Sequence, residues 1–226
     1  MTVITMSRQL GSGSEELAQR LCQEHGLVTF SKQMMARVAS EVGISSSEIV
    51  DYSEEEYQRR GFFEALFRRS RPVAEFSTWI GSPVVGYERR TRLLDEAGAI
   101  DLIRATVRKA HEHGQALIIG RGGQVILEDE PDVLHIRVVA PFEARVKRLQ
   151  DSQNMTPAQA RRYLQEMDSN SSEYLRSFFH VDPDDATLYH LTMNTERLGL
   201  EGALGLTNKA LEVMPERHHT LSKGRS

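Results

Sequence analysis

Three observations predict an α/β fold with a parallel sheet. Short β-branched or apolar runs recur along the 226 residues, at 3–7, 27–30, 116–119, 134–139 and 188–193. Helical spacing of apolar residues fills most of the gaps between them. Two of the runs lead straight into glycine turns, the strand-to-helix junction of layered folds. Right-handed crossovers then place every strand's carboxyl end on one edge of the sheet, where ligands of such folds bind.

The elements follow in order. Residues 3–7 form the first strand. After the Gly11-Ser12-Gly13 turn comes a helix with Leu17, Ala18 and Leu21 on one face, ended by Gly26. The second strand is followed by a helical pattern over 31–42, with Met34, Met35, Val38 and Val42 aligned. Ser45, Ser46 and Ser47 before Glu48 are N-cap candidates for a short third helix. Residues 53–114 read as mostly helical, interrupted near Pro72, Gly81 and Pro83. Pro141 opens a helix that carries Arg145 and Arg148, and Thr156 caps the next with Pro157 at its first position. The last helix is expected over 199–213, and the polar residues from 214 onward as a flexible tail.

Composition narrows the function. Apolar residues make up 39% and charged residues 27%, a globular balance. A net charge of −4 gives no basic surface for nucleic acid. The single cysteine, Cys22, excludes an internal disulfide and a cysteine metal cluster, and no metal site is expected. The chain enters its first strand without a signal-peptide pattern, and no apolar run approaches the ~20 residues of a membrane span. A cytoplasmic protein that contacts neither membrane nor nucleic acid is expected. Trp79, Phe62, Phe63 and Phe67 read as core or interface residues, and His218-His219 as part of the tail.

The ligand edge should gather four loops: residues 8–14, Gly120-Arg121-Gly122-Gly123, the turn before Arg145, and Asn194-Thr195. Two readings of Gly11-Ser12-Gly13 stay open. It is a phosphate cradle of inward amides with a helix dipole behind, or a helix start whose Ser12 and Glu15 form a capping box. The full phosphate-loop pattern, Gly-x4-Gly-Lys-Ser/Thr, fails at three places. With Gly13 as its second glycine, Arg8 stands at the first, Ser14 at the lysine and Glu15 at the magnesium-binding hydroxyl. A carboxylate ~5 Å from a phosphate charge costs about 3 kcal/mol at an effective dielectric of ~20, so Arg8 or a magnesium ion must offset Glu15, or Glu15 must turn away. In the second loop Arg121 offers a fork for phosphate among glycines that let backbone approach a ligand. The polar segment with Arg161, Arg162, Asp168 and Arg176 is a mobile lid or an ordinary charged helix pair.

The runs "ITMSRQLGSGSEELAQRL", "ALIIGRGGQVIL", "HIRVVAPFEARVKRL" and "YLRSFFHVDPDDATLYHLTMNTERL" together resemble the cytidylate kinase-like family, a divergent branch of the P-loop nucleoside monophosphate kinases. The resemblance implies a P-loop NTPase-type three-layer α/β/α domain over 1–213, with a five-stranded parallel sheet of order 2-3-1-4-5. It implies a helical acceptor-binding insertion at 31–92 and a lid at 151–185. It implies ATP with Mg2+ as donor and CMP or dCMP as acceptor. By position, Ser7, Gly11, Ser12, Gly13 and Ser14 would cradle the donor phosphates, with Arg8 supplying the charge of the missing lysine. Arg121 and Gly122 would face the acceptor. Arg145 would stand on the lid side, and Asp168 and Arg176 in the lid.

Several positions depart from the family's usual residues. Ser14 and Glu15 replace a glycine and a basic residue, Ser171 replaces the arginine of the lid's D-x-x-R, and His190 and Ser31 replace acidic residues. Three functions therefore remain: an active kinase, a nucleotide-binding pseudokinase without turnover, and an interaction module.

Overall fold

The computed structural model describes residues 2–29, 74–82, 86–94 and 96–215. The helices expected at 31–42 and after Glu48, and most of the tail, lie outside these residues. The elements are β1 (Val3–Arg8), α1 (Ser14–His25), β2 (Val28–Thr29), β3 (Ala74–Ser82), β4 (Gly86–Leu94), α2 (Glu96–His113), β5 (Ala116–Ile119), α3 (Gly123–Ile126), β6 (Val133–Val139), α4 (Phe142–Gln153), α5 (Pro157–Phe179), β7 (Leu191–Asn194) and α6 (Thr195–Val213). A 3-10 turn, Ala186–Leu188, precedes β7.

The main sheet runs β2-β5-β1-β6-β7 with every pair parallel, the expected 2-3-1-4-5 order of its five strands. Side chains alternate across it. On one face Val3, Ala116, Ile118 and Val133 pack against Ile103 and Val107 of α2 and Tyr174, Leu175 and Phe179 of α5. On the other, Ile4, Met6, Leu134, Ile136 and Val138 pack against Leu17 and Leu21 of α1 and Ala203 and Leu204 of α6. The two clusters make a three-layer α/β/α body. Their opposed residues are consecutive in sequence, which is why these strands are nearly continuous apolar runs.

Several local expectations change. Residues 74–94 were expected within a mostly helical stretch and instead form an antiparallel hairpin, registered from Ala74↔Leu94 to Ser82↔Gly86. Phe76, Thr78, Trp79, Ile80 and Thr91 are residue types that favour strand. The strand expected at 188–193 begins only at Leu191, because Asp185 caps the 3-10 turn by accepting from the Thr187 amide. The final helix begins at Thr195, earlier than expected, and is broken at Gly199, whose φ is 69°. Around α5 the expected start holds: Thr156 and Gln159 form a reciprocal capping box with Pro157 in the first turn. α4 and α5 meet through Val146, Leu149, Ala160 and Leu164, with Leu10 of the first loop packed against them.

Candidate active site at the carboxyl edge of the sheet

All four expected loops lie on one edge, since β1, β5, β6 and β7 are parallel. Gly120 donates its amide to Met6 O at 2.9 Å, and Gln9 donates to Val138 O at 3.0 Å. The first and second glycine turns are thus neighbours above β1.

The loop after β1 does not start its helix by a capping box. Gly13 is the N-cap of α1, left-handed at φ 80°, with no side-chain cap. Glu15 turns instead to Arg8, Oε1 to Nε 3.2 Å, and its Oε2 accepts from Ser14 Oγ at 3.1 Å. Gly11 is also left-handed, and a β-carbon there would lie 3.2 Å from Arg145 O. Both glycines are therefore required by backbone geometry.

The loop's carbonyls are held from outside. Arg145 donates to Leu10 O at 3.3 Å, Arg148 to Gly11 O at 3.3 Å, and Thr195 Oγ1 to Ser12 O at 2.5 Å. In a trans peptide the following amide points opposite its carbonyl. The Gly11 and Gly13 amides are therefore turned away from the Arg145 and Thr195 clamps, while the Ser12 amide donates to Gln9 O at 3.1 Å, and the N-terminus of α1 adds its dipole. Ser12 is fully buried, and its Oγ has no hydrogen-bond partner among the described residues. A buried hydroxyl without a partner costs about 1–3 kcal/mol. Its position inside a ring of clamped carbonyls fits an anion with oxygen acceptors.

Arg145 and Asp168 meet directly. Arg145, 3% exposed, forks both oxygens of Asp168, at 2.9 and 2.8 Å, and also donates to Ala140 O at 3.2 Å. This pair joins α5 to the first loop, so Arg145, expected on the lid side, and Asp168, expected in the lid, meet here as a clamp between α5 and the loop. Arg148 continues the clamp through Thr195 Oγ1 and Glu196, at 3.3 and 2.7 Å. Arg176 lies at the end of α5, exposed, and pairs with Asp182 at 3.2 Å. The Asp184 amide holds the Asp182 carboxyl below the usual range, and Arg176 adds to this.

In the second loop Gly120, Arg121 and Gly122 are all left-handed, with φ of 67°, 62° and 69°. Arg121 is buried, so it is not the solvated side chain of an ordinary turn. Gly122 lies against the Phe179 ring of α5: a β-carbon there would be 2.5 Å from it.

One cation went unnoticed in the sequence. Arg137, in the middle of β6, is 6% exposed and stands in register with Ser7. It donates to Ser7 Oγ at 2.9 Å and to Asp184 Oδ1 at 2.6 Å, and lies over the Tyr189 ring. The signal was present: "HIRVVA" interrupts a buried apolar strand with a charge. Beside it His135 and His190 stack at 5.2 Å, and Thr5 Oγ1 bonds His135 Nδ1 at 2.6 Å.

With this geometry, comparison with known proteins is specific. The family model described as the cytidylate kinase-like family matches residues 3–197. A cytidylate kinase of Methanopyrus kandleri is 25% identical over 224 residues, covering 95% of each chain. A cytidylate kinase of Desulfurococcus amylolyticus is 23% identical over 224 residues, 99% of this chain and 100% of the relative. An uncharacterized protein of Eubacterium ventriosum, known from its crystal structure, shares the fold with a TM-score of 0.61 at 15% identity, covering 94% of this chain and 99% of that one.

Proposed function

This chain belongs to the cytidylate kinase-like family, and we propose that it is a nucleotide kinase that moves the γ-phosphoryl group of ATP to CMP or dCMP. An oxygen of the acceptor phosphate bonds to the γ-phosphorus, the bond from that phosphorus to the β,γ-bridging oxygen breaks, and ADP leaves with that electron pair. Catalysis of this kind is mainly positioning and charge stabilisation. The observation that carries the reading is the first loop: three carbonyls clamped outward, two left-handed glycines and the buried Ser12 hydroxyl. Gly11, Ser12 and Gly13 would hold the donor phosphates, and Arg121 the acceptor. The resemblance to relatives named cytidylate kinase supports the choice of base.

Glu15 and Ser14, whose oxygens lie 3.1 Å apart, would be the hard oxygen ligands for Mg2+, with Glu15 exchanging its contact with Arg8 for the ion. Bound there, the ion would neutralise phosphate charge. A second reading, nucleotide binding without turnover, draws on the loss of the lysine at Ser14 and on the pairing of Arg8 with Glu15.

The test is a titration of ATP, CMP and dCMP, separately and mixed, with and without Mg2+, following binding and ADP release. CMP-dependent ADP release supports the kinase. Binding with no ADP release selects the second reading, and no binding at all removes both. Ser12→Ala should weaken ATP binding about tenfold, a loss of ~1.4 kcal/mol, while the free protein unfolds no earlier, since the variant loses a buried hydroxyl that has no partner. Unchanged affinity with a lowered melting temperature would make Ser12 purely structural.

A further inference from the structure

We propose that Arg137 is a second arginine for the acceptor phosphate, and that Asp184 holds its guanidinium until that phosphate displaces it. This rests on the kinase reading of the same edge.

Placement comes first. β1 lies between β5 and β6, and Met6↔Ile119 and Ser7↔Arg137 fix the register. The Gly120 turn and Arg137 therefore flank Ser7 at one level, from opposite sides. Neighbouring strands are about 4.8 Å apart, so the two flanks are roughly 10 Å apart, a span that two arginines can close on one phosphate. Alternation puts Ser7 and Arg137 on the face of Val3 and Val133, where α2 and α5 pack. Phe179, against Gly122, belongs to the same face. Arg137 thus shares its side of the sheet with the acceptor turn, whereas Glu15 stands on the helix behind the other face.

Chemistry comes second. A guanidinium has five N–H donors. Arg137 donates from Nη1 to Ser7 Oγ and, at 3.5 Å, to Tyr189 Oη, and from Nη2 to Asp184. Nε and the second Nη2 hydrogen, the edge that forks phosphate oxygens, have no hydrogen-bond partner among the described residues. A buried charge is costly unless well paired, yet the carboxylate facing this one is 74% exposed. An exposed carboxylate regains full hydration when it leaves, so a dianionic phosphate can replace it at little cost.

The arrangement is also built to keep the guanidinium in place without Asp184. Tyr189 lies under it at 5.6 Å from ring centroid to Cζ, and its hydroxyl is anchored on Pro183 O at 3.0 Å. Ser7 fixes the other end. Loss of Asp184 would free the other Nη2 hydrogen beside the phosphate-forking edge and leave the guanidinium's orientation unchanged.

The experiment measures binding of CMP, and of the nucleoside cytidine as the phosphate-free control, by calorimetry. The proteins are wild type, Asp184→Asn, Arg137→Met and the double variant. Asp184→Asn, an exposed change, should tighten CMP binding at least threefold and leave cytidine binding alone. Arg137→Met should weaken CMP at least tenfold with cytidine unchanged, and on that background Asp184→Asn should do nothing. Unchanged or weaker CMP binding by Asp184→Asn overturns the inference. So does an equal loss of CMP and cytidine in Arg137→Met, which would mark a structural arginine. If wild type binds CMP and releases ADP while neither variant differs from it, only this inference falls. If wild type binds no nucleoside monophosphate at all, the kinase reading falls with it.

Discussion

Asp168→Ala tests whether α5 and the first loop are joined through Arg145 as the structure shows. The substitution removes both acceptors of the Arg145 fork, at 2.9 and 2.8 Å, and leaves Arg145 the Ala140 and Leu10 carbonyls, at 3.2 and 3.3 Å, and the Phe142 ring. Stripping one partner from a buried ion pair costs about 3–5 kcal/mol. Asp168 is 34% exposed on its side chain, so water reaches the guanidinium and brings the cost below that range, to about 2–3 kcal/mol. For a chain of this length, 1 kcal/mol corresponds to roughly 2–4 °C in Tm, giving a fall of about 4–12 °C. Asp168→Asn keeps one acceptor and should cost about half as much. The double variant Arg145→Met, Asp168→Ala should recover part of the loss, because no buried charge is left unpaired. Urea denaturation of the four proteins measures each term, and the cycle isolates the coupling. Nucleotide affinity should fall in parallel, since Arg145 also holds the Leu10 carbonyl. A stability change under ~0.5 kcal/mol for Asp168→Ala would refute the clamp.

Two further outcomes follow from single positions. Gly122→Ala forces a left-handed L-residue, at about 1–2 kcal/mol, and drives Phe179 from a rotamer minimum, at about 0.5–1.5 kcal/mol; a loss near 2–3 kcal/mol in urea is expected, and a loss under 1 kcal/mol would show that the contact is slack. His135 is pushed down to about 4, chiefly by burial and then by the charge of His190, with a bond to the Leu127 backbone opposing. Its folded value lies below its unfolded value of ~6.5, so this contribution is complete above pH 6.5 and is lost as pH falls to about 4, up to about 3 kcal/mol. His135→Gln should flatten the stability profile in that window, and an unchanged slope would reject the assignment.

What was legible in the sequence follows physical lines. The parallel order and the shared edge could be inferred because apolar runs alternate with helices, and chain chirality then leaves few topologies. The hairpin at 74–94 was not. Its strand formers are diluted by Glu88, Arg89, Arg90 and Arg92, and charge density resembles a solvated helix when partners are unknown. Arg145 was singled out by its place in a motif, yet only the fold reveals that Asp168, 23 residues later, occupies its fork. Arg137 was hidden by the strand around it. A charge in a run such as "HIRVVA" carries meaning only once the register with Ser7 places it at the ligand edge.

These placements answer the electrostatic difficulty of the first loop. A carboxylate facing a triphosphate calls for an offsetting cation, and Arg8 provides one, bound to Glu15 itself. The two charges cancel, and Glu15 is 57% exposed, so screening by water reduces what remains. The loop then offers a phosphate its backbone amides, the Ser12 hydroxyl and a helix dipole, worth roughly half an elementary charge, but no net positive side chain. Net positive charge at this edge must come from elsewhere. Arg145 is matched by Asp168, and Arg148 by Glu196. Arg137 differs because its carboxylate is largely in water and can be exchanged for phosphate. The absence of a lysine at Ser14 therefore leaves the loop's geometry intact, and under the proposed function the demand for charge falls on the side of β1 that carries Arg121 and Arg137. A reversal such as Ser14→Lys would add charge at the donor loop without altering the acceptor-side exchange between Asp184 and phosphate.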